Sequence, residues 1–353
     1  MQSPKNSRRS LLRTAAGLAA LPPGRGAAHE SPNSITDVAG LRVGHFTDGR
    51  RPTGCTVVLF DKGAIAGVDV RGSAPGTRET DLLSPINTVE RVNALVLSGG
   101  SAFGLDTASG VMRFLDENKI GYQVGSVVVP IVPAAILFDL GVGDPRIRPD
   151  AQGGYSACQA ASNAPPPEGN VGAGAGATVG KMFGMKAAMK SGIGTASLAI
   201  GSSGIVVGAI VAVNAIGDVR DYQTGRILAG ARGADGRSFL DSMARILAGA
   251  TLAQAKRGGN STIGIVATNS ILTKTEATKV AQMAHDGLAR TINPIHTAFD
   301  GDTIFAASTG TAAARAEVST IGAVAAVAVA HAVNRAVLAA TSLPGLPAHR
   351  DLD

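Results

Sequence analysis

Asn260 and Ser261 stand at the centre of Gly258-Gly259-Asn260-Ser261-Thr262, a glycine pair followed by a hydroxyl residue at the mouth of an apolar run from Ile263 to Thr268. Held beside a strained Asn260 carbonyl, the Ser261 hydroxyl can take over the Asn260 acyl group in an N-to-O shift. Hydrolysis of that ester exposes Ser261 as a new N-terminus. Its α-amine has an ordinary pKa of about 7.7–8.0, against about 10.4 for lysine, and is a usable general base near neutral pH. Nucleophile and base then belong to one residue, and no histidine is required. Taken alone, the same five residues also read as a loop entering a strand.

Other candidate motifs fall short of their chemistry. Gly99-Gly100-Ser101-Ala102-Phe103-Gly104 sits where a nucleophile elbow would, but the elbow needs glycine two residues after the serine, where this chain has Phe103. It reads instead as a tight turn whose amides begin a helix and face an anion or substrate. The run Gly172 to Ala177 follows no clear strand, so it is a poor dinucleotide fingerprint. Gly180-Lys181 has Ala175 and Met182 where a phosphate loop needs glycine and a hydroxyl residue. His285 and His296 are not spaced as a metal pair and read as structural or surface histidines. No metal and no cofactor is expected.

The elements that would position such a site are short and apolar. Thr56 to Phe60, Ala66 to Val70, Arg91 to Leu97, Thr262 to Thr268 and Thr303 to Ala307 read as strands, and Ser197 to Ile216 as two strands broken at Gly201 to Gly204. Helices are expected from about Ala102 to Asn118, over 238–255, behind the capping box Thr273-Lys274-Thr275-Glu276, and from Val318 to Ala340. The last contains His331, Asn334 and Arg335 and reads as a core helix rather than a membrane span. Pro130 and Pro133 make Val127 to Leu140 irregular or strand-like, not helical. Mixed apolar strands and helices imply an α/β fold with sheet layers covered by helices, without a boundary that splits the chain after the leader.

Composition narrows the function classes. Of the 353 residues, 45% are hydrophobic and 16% charged, which excludes a disordered chain. The net charge of +6 is concentrated at the start: Lys5, Arg8, Arg9, Arg13 and Arg25 precede His29 with no acidic residue among them. The remainder is close to neutral and has no basic stripe with interleaved aromatics, so no nucleic-acid partner is expected. Ser7-Arg8-Arg9-Ser10-Leu11-Leu12-Arg13, followed by a weakly apolar stretch, resembles a twin-arginine export signal over residues 1–28. A periplasmic location follows, for a protein exported already folded, with no membrane anchor. Cys55 and Cys158 are too few for a disulfide scaffold and read as small buried residues.

Long stretches resemble the DmpA-type aminopeptidases, which include β-aminopeptidases and nylon-oligomer hydrolases. They are Gly259 to Asn269, Met283 to Arg290, His296 to Thr303, Pro52 to Val58 and Val96 to Leu105, and the likeness spans roughly residues 35–341. The resemblance implies a four-layer αββα sandwich of the N-terminal-nucleophile-hydrolase kind. It implies one catalytic domain over 29–353, cut between Asn260 and Ser261 into an α chain of about 29–260 and a β chain of 261–353. Ser261 matches the nucleophile, Asn214 an asparagine that donates to the oxyanion, and Lys181 a lysine of the nylon-hydrolase branch that stabilises anionic groups. Asp300 and Asp302 match that branch's paired acids, which position the nucleophile and its ammonium; separated by one residue on extended chain, they point the same way. Phe138 stands where relatives have a tyrosine, and its side chain has no hydroxyl to donate.

The expected activity is release of N-terminal residues from short peptides, amides or esters through an acyl-enzyme. The expected assembly, from the resemblance, is a homo-oligomer, a tetramer of αβ units. A nylon-type amide-oligomer hydrolase, an ornithine-type acetyltransferase and a non-catalytic periplasmic binder are the alternatives.

Overall fold

The computed structural model describes residues 33–252 and 259–352. The export signal expected over residues 1–28 lies outside the described residues. The chain opens with β1 (Arg42–Thr47), β2 (Gly54–Val70), β3 (Thr77–Arg78) and β4 (Arg91–Ser98). Then come α1 (Thr107–Glu117), the hairpin β5 (Tyr122–Val124) and β6 (Val127–Val129), β7 (Ala134–Ile136) and α2 (Ala151–Gln159). The middle holds β8 (Thr178–Val179), β9 (Met189–Lys190), β10 (Ile193–Ala199), β11 (Val206–Ala212), β12 (Asp218–Arg220), β13 (Ile227–Ala229) and α3 (Ser242–Leu247). After residue 259 follow β14 (Ile263–Thr268), α4 (Lys274–Thr291), β15 (Ile292–Asn293), β16 (Thr303–Ser308) and α5 (Val318–Leu338).

One curled sheet makes two layers. Its order is β10-β11-β14-β16-β2-β4-β7-β3, with β1 on the free side of β2. Strand β2 carries the curl. Its first half pairs with β1 and β4, its second half with β16, and its register against β4 shifts between Leu59 and Ala64. Alternation along β2 sends Val57 and Leu59 outward to Ala108, Val111 and Leu115 of α1 and to Ala157 and Cys158 of α2. Val58 and Phe60 point inward to a central cluster with Leu95, Leu97, Ile263, Ile265 and Phe305. Beyond it, Val207, Ala209, Val266, Ile304 and Ala306 face α4 and α5. The layers therefore run helix pair, sheet half, sheet half, helix pair. Strands β4, β14 and β16 are buried on both faces, which is why they read as unbroken apolar runs without alternation.

The helices fall largely where the sequence puts them. Thr273 and Glu276 form the expected capping box at the start of α4. Helix α5 is long and apolar enough to cross a membrane by composition, but it packs against α4, β10 and β11, and two thirds of its most apolar 18-residue stretch is buried. Two expectations shift. The helix expected from about Ala102 begins as a 3-10 turn over Ser101–Asp106 and turns α-helical only at Thr107. The helix expected over 238–255 is confined to Ser242–Leu247 within its described part. Asp241 caps it through Ala244 N–H, and Gly249 at φ +96° ends it. Cys55 and Cys158 are buried and unpaired, and burial pushes both thiols up.

Phe305 is fully buried in the central cluster between the two sheet layers. Phe305→Ala is expected to destabilise the protein by about 3–5 kcal/mol, measured by urea denaturation.

Candidate active site

Three strand ends meet at Ser261. Strands β14 and β16 are parallel, with Ile263 opposite Thr303, so the residues just before each strand lie side by side. These are Asn260-Ser261-Thr262 before β14 and Asp300-Gly301-Asp302 before β16. Strand β11 is antiparallel to β14 with Ala212 opposite Ile263, which brings its exit, Val213-Asn214, to the same place. The Ser261 N–H donates to the Asn214 carbonyl at 2.7 Å.

The bond before Ser261 is tightly held. The Ser261 hydroxyl donates to the Asn260 carbonyl oxygen at 2.6 Å, and Gly301 N–H donates to the same oxygen at 2.9 Å. Only glycine fits at 301: a Cβ there would lie 2.4 Å from the Ala74 carbonyl oxygen and 2.6 Å from Ser261 Oγ. Asn260 and Ser261 are each 2% exposed.

The two acids are fully buried, and in the intact chain they hold different partners. Asp302 accepts from Thr262 N–H at 2.7 Å, from His296 N–H at 3.2 Å and pairs with His296 Nδ1 at 2.8 Å. A carboxylate only accepts, so Nδ1 carries the proton in that pair. Asp300 Oδ2 accepts from the Thr297 N–H at 2.8 Å and the Thr297 hydroxyl at 2.5 Å, while its Oδ1 is buried without a partner. Burial, with Asp302 beside it, pushes the Asp300 carboxyl up to about 6.

Lys181 enters from a 3-10 turn introduced by Gly180 at φ +69°, where a Cβ would meet the Gly230 carbonyl carbon at 2.1 Å. Its Nζ donates to Asn214 Oδ1 at 2.8 Å and to the Gly259 carbonyl at 3.0 Å. Burial lowers its pKa to about 7, against the pull of Asp300, Asp302 and Asp139. The Asn214 amide nitrogen donates to the Phe138 carbonyl at 3.1 Å. At residue 138 the main chain supplies this contact to the Asn214 amide, and no side-chain hydroxyl takes part in it. A pocket of about 70 Å³ opens beside these groups, walled by Phe138, Val142 and Met185.

Comparison with known proteins places this geometry. The sequence profile described as Peptidase family S58 matches residues 33–350. The chain belongs to peptidase family S58. Among S58 relatives and neighbours, an uncharacterized aminopeptidase of Mycobacterium leprae is 44% identical over 352 residues, covering 90% of this chain and 93% of the relative. A 6-aminohexanoate-oligomer endohydrolase of Kocuria is 30% identical over 281 residues, covering 77% and 74%. The structure of the L-aminopeptidase D-Ala-esterase/amidase of Ochrobactrum anthropi, described as a variant of the Ntn hydrolase fold, superposes with TM-score 0.68 at 21% identity over 91% of this chain and 92% of that one. A Burkholderia β-aminopeptidase superposes with TM-score 0.65 at 22% identity over the same shares. The fold is that of these Ntn-type aminopeptidases, and the chain is a hydrolase of the S58 aminopeptidase family.

Ser261, Asn214, Lys181, Asp300 and Asp302 are therefore together in one buried cluster. Three contributors escaped the sequence reading. Gly301, read as a spacer between acids, supplies the N–H on the Asn260 carbonyl. His296, read as structural or surface, sits on Asp302 in a left-handed conformation at φ +57° and stacks edgewise on His285 with ring centroids 4.8 Å apart. Left-handed backbone in a non-glycine residue is the kind of strain that gathers at functional sites. The third is Asp139, which the Gly99 loop faces. Gly100 N–H donates to Asp139 Oδ1 at 2.9 Å, so the anion expected at that turn is the protein's own. Asp139 also pairs with Arg51 at 2.7 Å, both side chains fully buried.

Two predictions follow from these contacts. His296→Ala removes a hydrogen bond to a buried carboxylate, worth about 1.5–3 kcal/mol, and is expected to lower kcat with KM little changed. His296→Asn, which keeps a side-chain N–H at the Nδ1 position, is expected to recover most of the loss in steady-state assays. Burial also lowers Lys190 to about 7, like Lys181. Both lysines hold fewer protons folded than unfolded above pH 7, so stability is gained as pH rises from about 7 towards the unfolded value of about 10.4. Denaturation midpoints of uncleaved Ser261→Ala protein are expected to rise from pH 7 to 9, and Lys190→Met to flatten that slope.

Proposed function

We propose that the chain cuts itself between Asn260 and Ser261 and then works as a serine amidohydrolase through an acyl-enzyme on Ser261. The observation that carries this reading is the Ser261 hydroxyl 2.6 Å from the Asn260 carbonyl oxygen, which Gly301 N–H also holds at 2.9 Å. In the first step Ser261 Oγ attacks the Asn260 carbonyl carbon and loses its proton. Gly301 N–H meets the developing charge on the oxygen. The C–N bond breaks, the nitrogen leaves as the Ser261 amine with a proton, and the Asn260 acyl group rests on Oγ as an ester. Water hydrolyses the ester and frees the N-terminal serine.

In the mature site the α-amine takes the hydroxyl proton as Oγ attacks a substrate amide or ester. Asp302, bonded to Thr262 N–H next in the chain, and Asp300 supply the negative field that holds the resulting ammonium. Gly301 N–H faces the acyl oxygen, and Lys181, on the Gly259 carbonyl at 3.0 Å and Asn214 Oδ1 at 2.8 Å, stands beside the acyl group. The leaving amine departs with a proton, and water releases the acyl group. Short peptides, amides and esters are the substrates. The aminopeptidase names among the relatives suggest N-terminal residues as acyl groups, and the endohydrolase names suggest internal amides.

Mass spectrometry of the purified protein is expected to find a fragment beginning at Ser261. Ser261→Ala is expected to stay a single chain and to lose at least about 100-fold of the amide-hydrolysing activity. A fully active, uncut Ser261→Ala protein would refute the reading.

A further inference from the structure

The pocket beside the buried cluster lies on one side of the reactive bond. Gly259 and Asn260, the two residues before that bond, line it, while Ser261 and Thr262 after the bond do not. The space therefore belongs to the acyl half of a substrate and not to its leaving group. In the intact chain the Asn260 side-chain amide donates at 3.3 Å to the carbonyl of Phe299, which is not among the lining residues. About 70 Å³ beside Asn260 is left for a side chain of another shape.

The polar side chains of the wall are engaged elsewhere. The Thr178 hydroxyl and Lys181 Nζ both donate to Asn214 Oδ1, at 3.4 and 2.8 Å. Asp139, fully buried, accepts from Arg51 at 2.7 Å, Gly100 N–H at 2.9 Å and the Thr53 hydroxyl at 2.6 Å. What remains is the apolar surface of Phe138, Val142 and Met185. The Val142 side is stiff, because Arg51 Nε donates to the Val142 carbonyl at 2.6 Å and Val142 N–H donates to the Asp139 carbonyl at 3.0 Å. Met185 is the adaptable side. It packs against the cluster of Val142, Ala188 and Leu346, and an unbranched thioether follows the shape of what it meets. The rim is open at Gly141, where an added Cβ would meet nothing within 4 Å and the backbone is not left-handed.

We infer that this pocket is the side-chain subsite of the acyl residue, that it selects uncharged aliphatic side chains against cationic ones, and that Met185 and Gly141 set the size it takes. This rests on the amidohydrolase reading above and deepens it. An aliphatic chain is stabilised there in proportion to the apolar area it covers. A lysine or arginine side chain would bring its cation towards buried Lys181, with the Asp139 carboxylate already committed to Arg51. The α-amine of the same residue meets a different surface. Asp300, on the strand end bridged to Asn260, keeps Oδ1 without a hydrogen-bond partner, so an acceptor remains for that amine and the demand of the pocket falls on the side chain.

The test gives self-cleaved protein the p-nitroanilides of alanine, norleucine, phenylalanine and lysine, all with free amines. Norleucine and lysine share a carbon chain and differ in the ammonium at its end. Norleucine is expected to show kcat/KM at least about 10-fold above lysine. Equal or faster release from lysine would overturn the inference and leave the amidohydrolase reading standing. No release from any of these substrates would overturn both. Gly141→Leu places a branched side chain on the rim and is expected to move the norleucine-to-alanine ratio about 10-fold towards alanine. Met185→Ala cuts back the adaptable wall and is expected to move the phenylalanine-to-norleucine ratio about 10-fold towards phenylalanine. A shift in either ratio supports the assignment. Ratios unmoved in both variants, or release lost in both, would overturn it.

Discussion

Everything at the centre of this molecule depends on the register of one strand. β14 lies between β11 and β16, antiparallel to the first and parallel to the second. Parallel neighbours start at the same end of a sheet, so Ser261 and the Asp300-Gly301-Asp302 turn share an edge without any loop having to reach across. The antiparallel partner delivers its exit, and therefore Asn214, to that same edge. A slip of one residue in either pairing would reverse which face each side chain points to and scatter the cluster. The apolar residues along β14 and β16, buried on both faces, hold that register by packing, so the geometry of the site is secured by the core beneath it.

The cluster so assembled is costly. Lys181, Asp300, Asp302, Arg51 and Asp139 are all removed from water, and isolated charges in such surroundings lose several kcal/mol of hydration each. Their hydrogen bonds offset this. Asp302 collects three N–H groups, and Arg51 and Asp139 satisfy each other and the adjacent turn. What is left unsatisfied within this cluster is informative: the free oxygen of Asp300 and the depressed basicity of Lys181 show where its buried charge is not fully met. Both lie beside the reactive bond. Perturbed groups of this kind mark sites that do chemistry more often than sites that only hold structure.

Much of the site was legible because its residue types are rare in an apolar chain. Ser261, a hydroxyl residue after a glycine pair at the mouth of an apolar strand, stands out against so much Ala, Val and Gly. The family resemblance supplied Asn214, Lys181, Asp300 and Asp302, which single-residue reasoning would leave as an ordinary strand cap, a solvated amine and a turn. The rest was hidden for physical reasons. A main-chain N–H such as that of Gly301 carries no signature of its own. His296 meets Asp302 through a left-handed bend that no periodicity encodes, and Asp139 finds Arg51 from far along the chain. The curl of the sheet was invisible because strands buried on both faces show no alternation, so the sequence cannot say which half of β2 faces which layer.

The interleaving of strands bears on what a break at residue 260 would do to the molecule. The segment after Ser261 contributes β14 and β16 to the middle of the sheet, where β11 flanks one side and β2 the other, both from the earlier segment. Helices α4 and α5, also from the later segment, cover one face of the assembled strands. Two polypeptides produced by such a break would be interlocked: pulling them apart means opening the sheet along two seams and stripping a helical layer from the core. They would behave as one cooperative body with an extra pair of chain ends, melting together and never exchanging partners while folded.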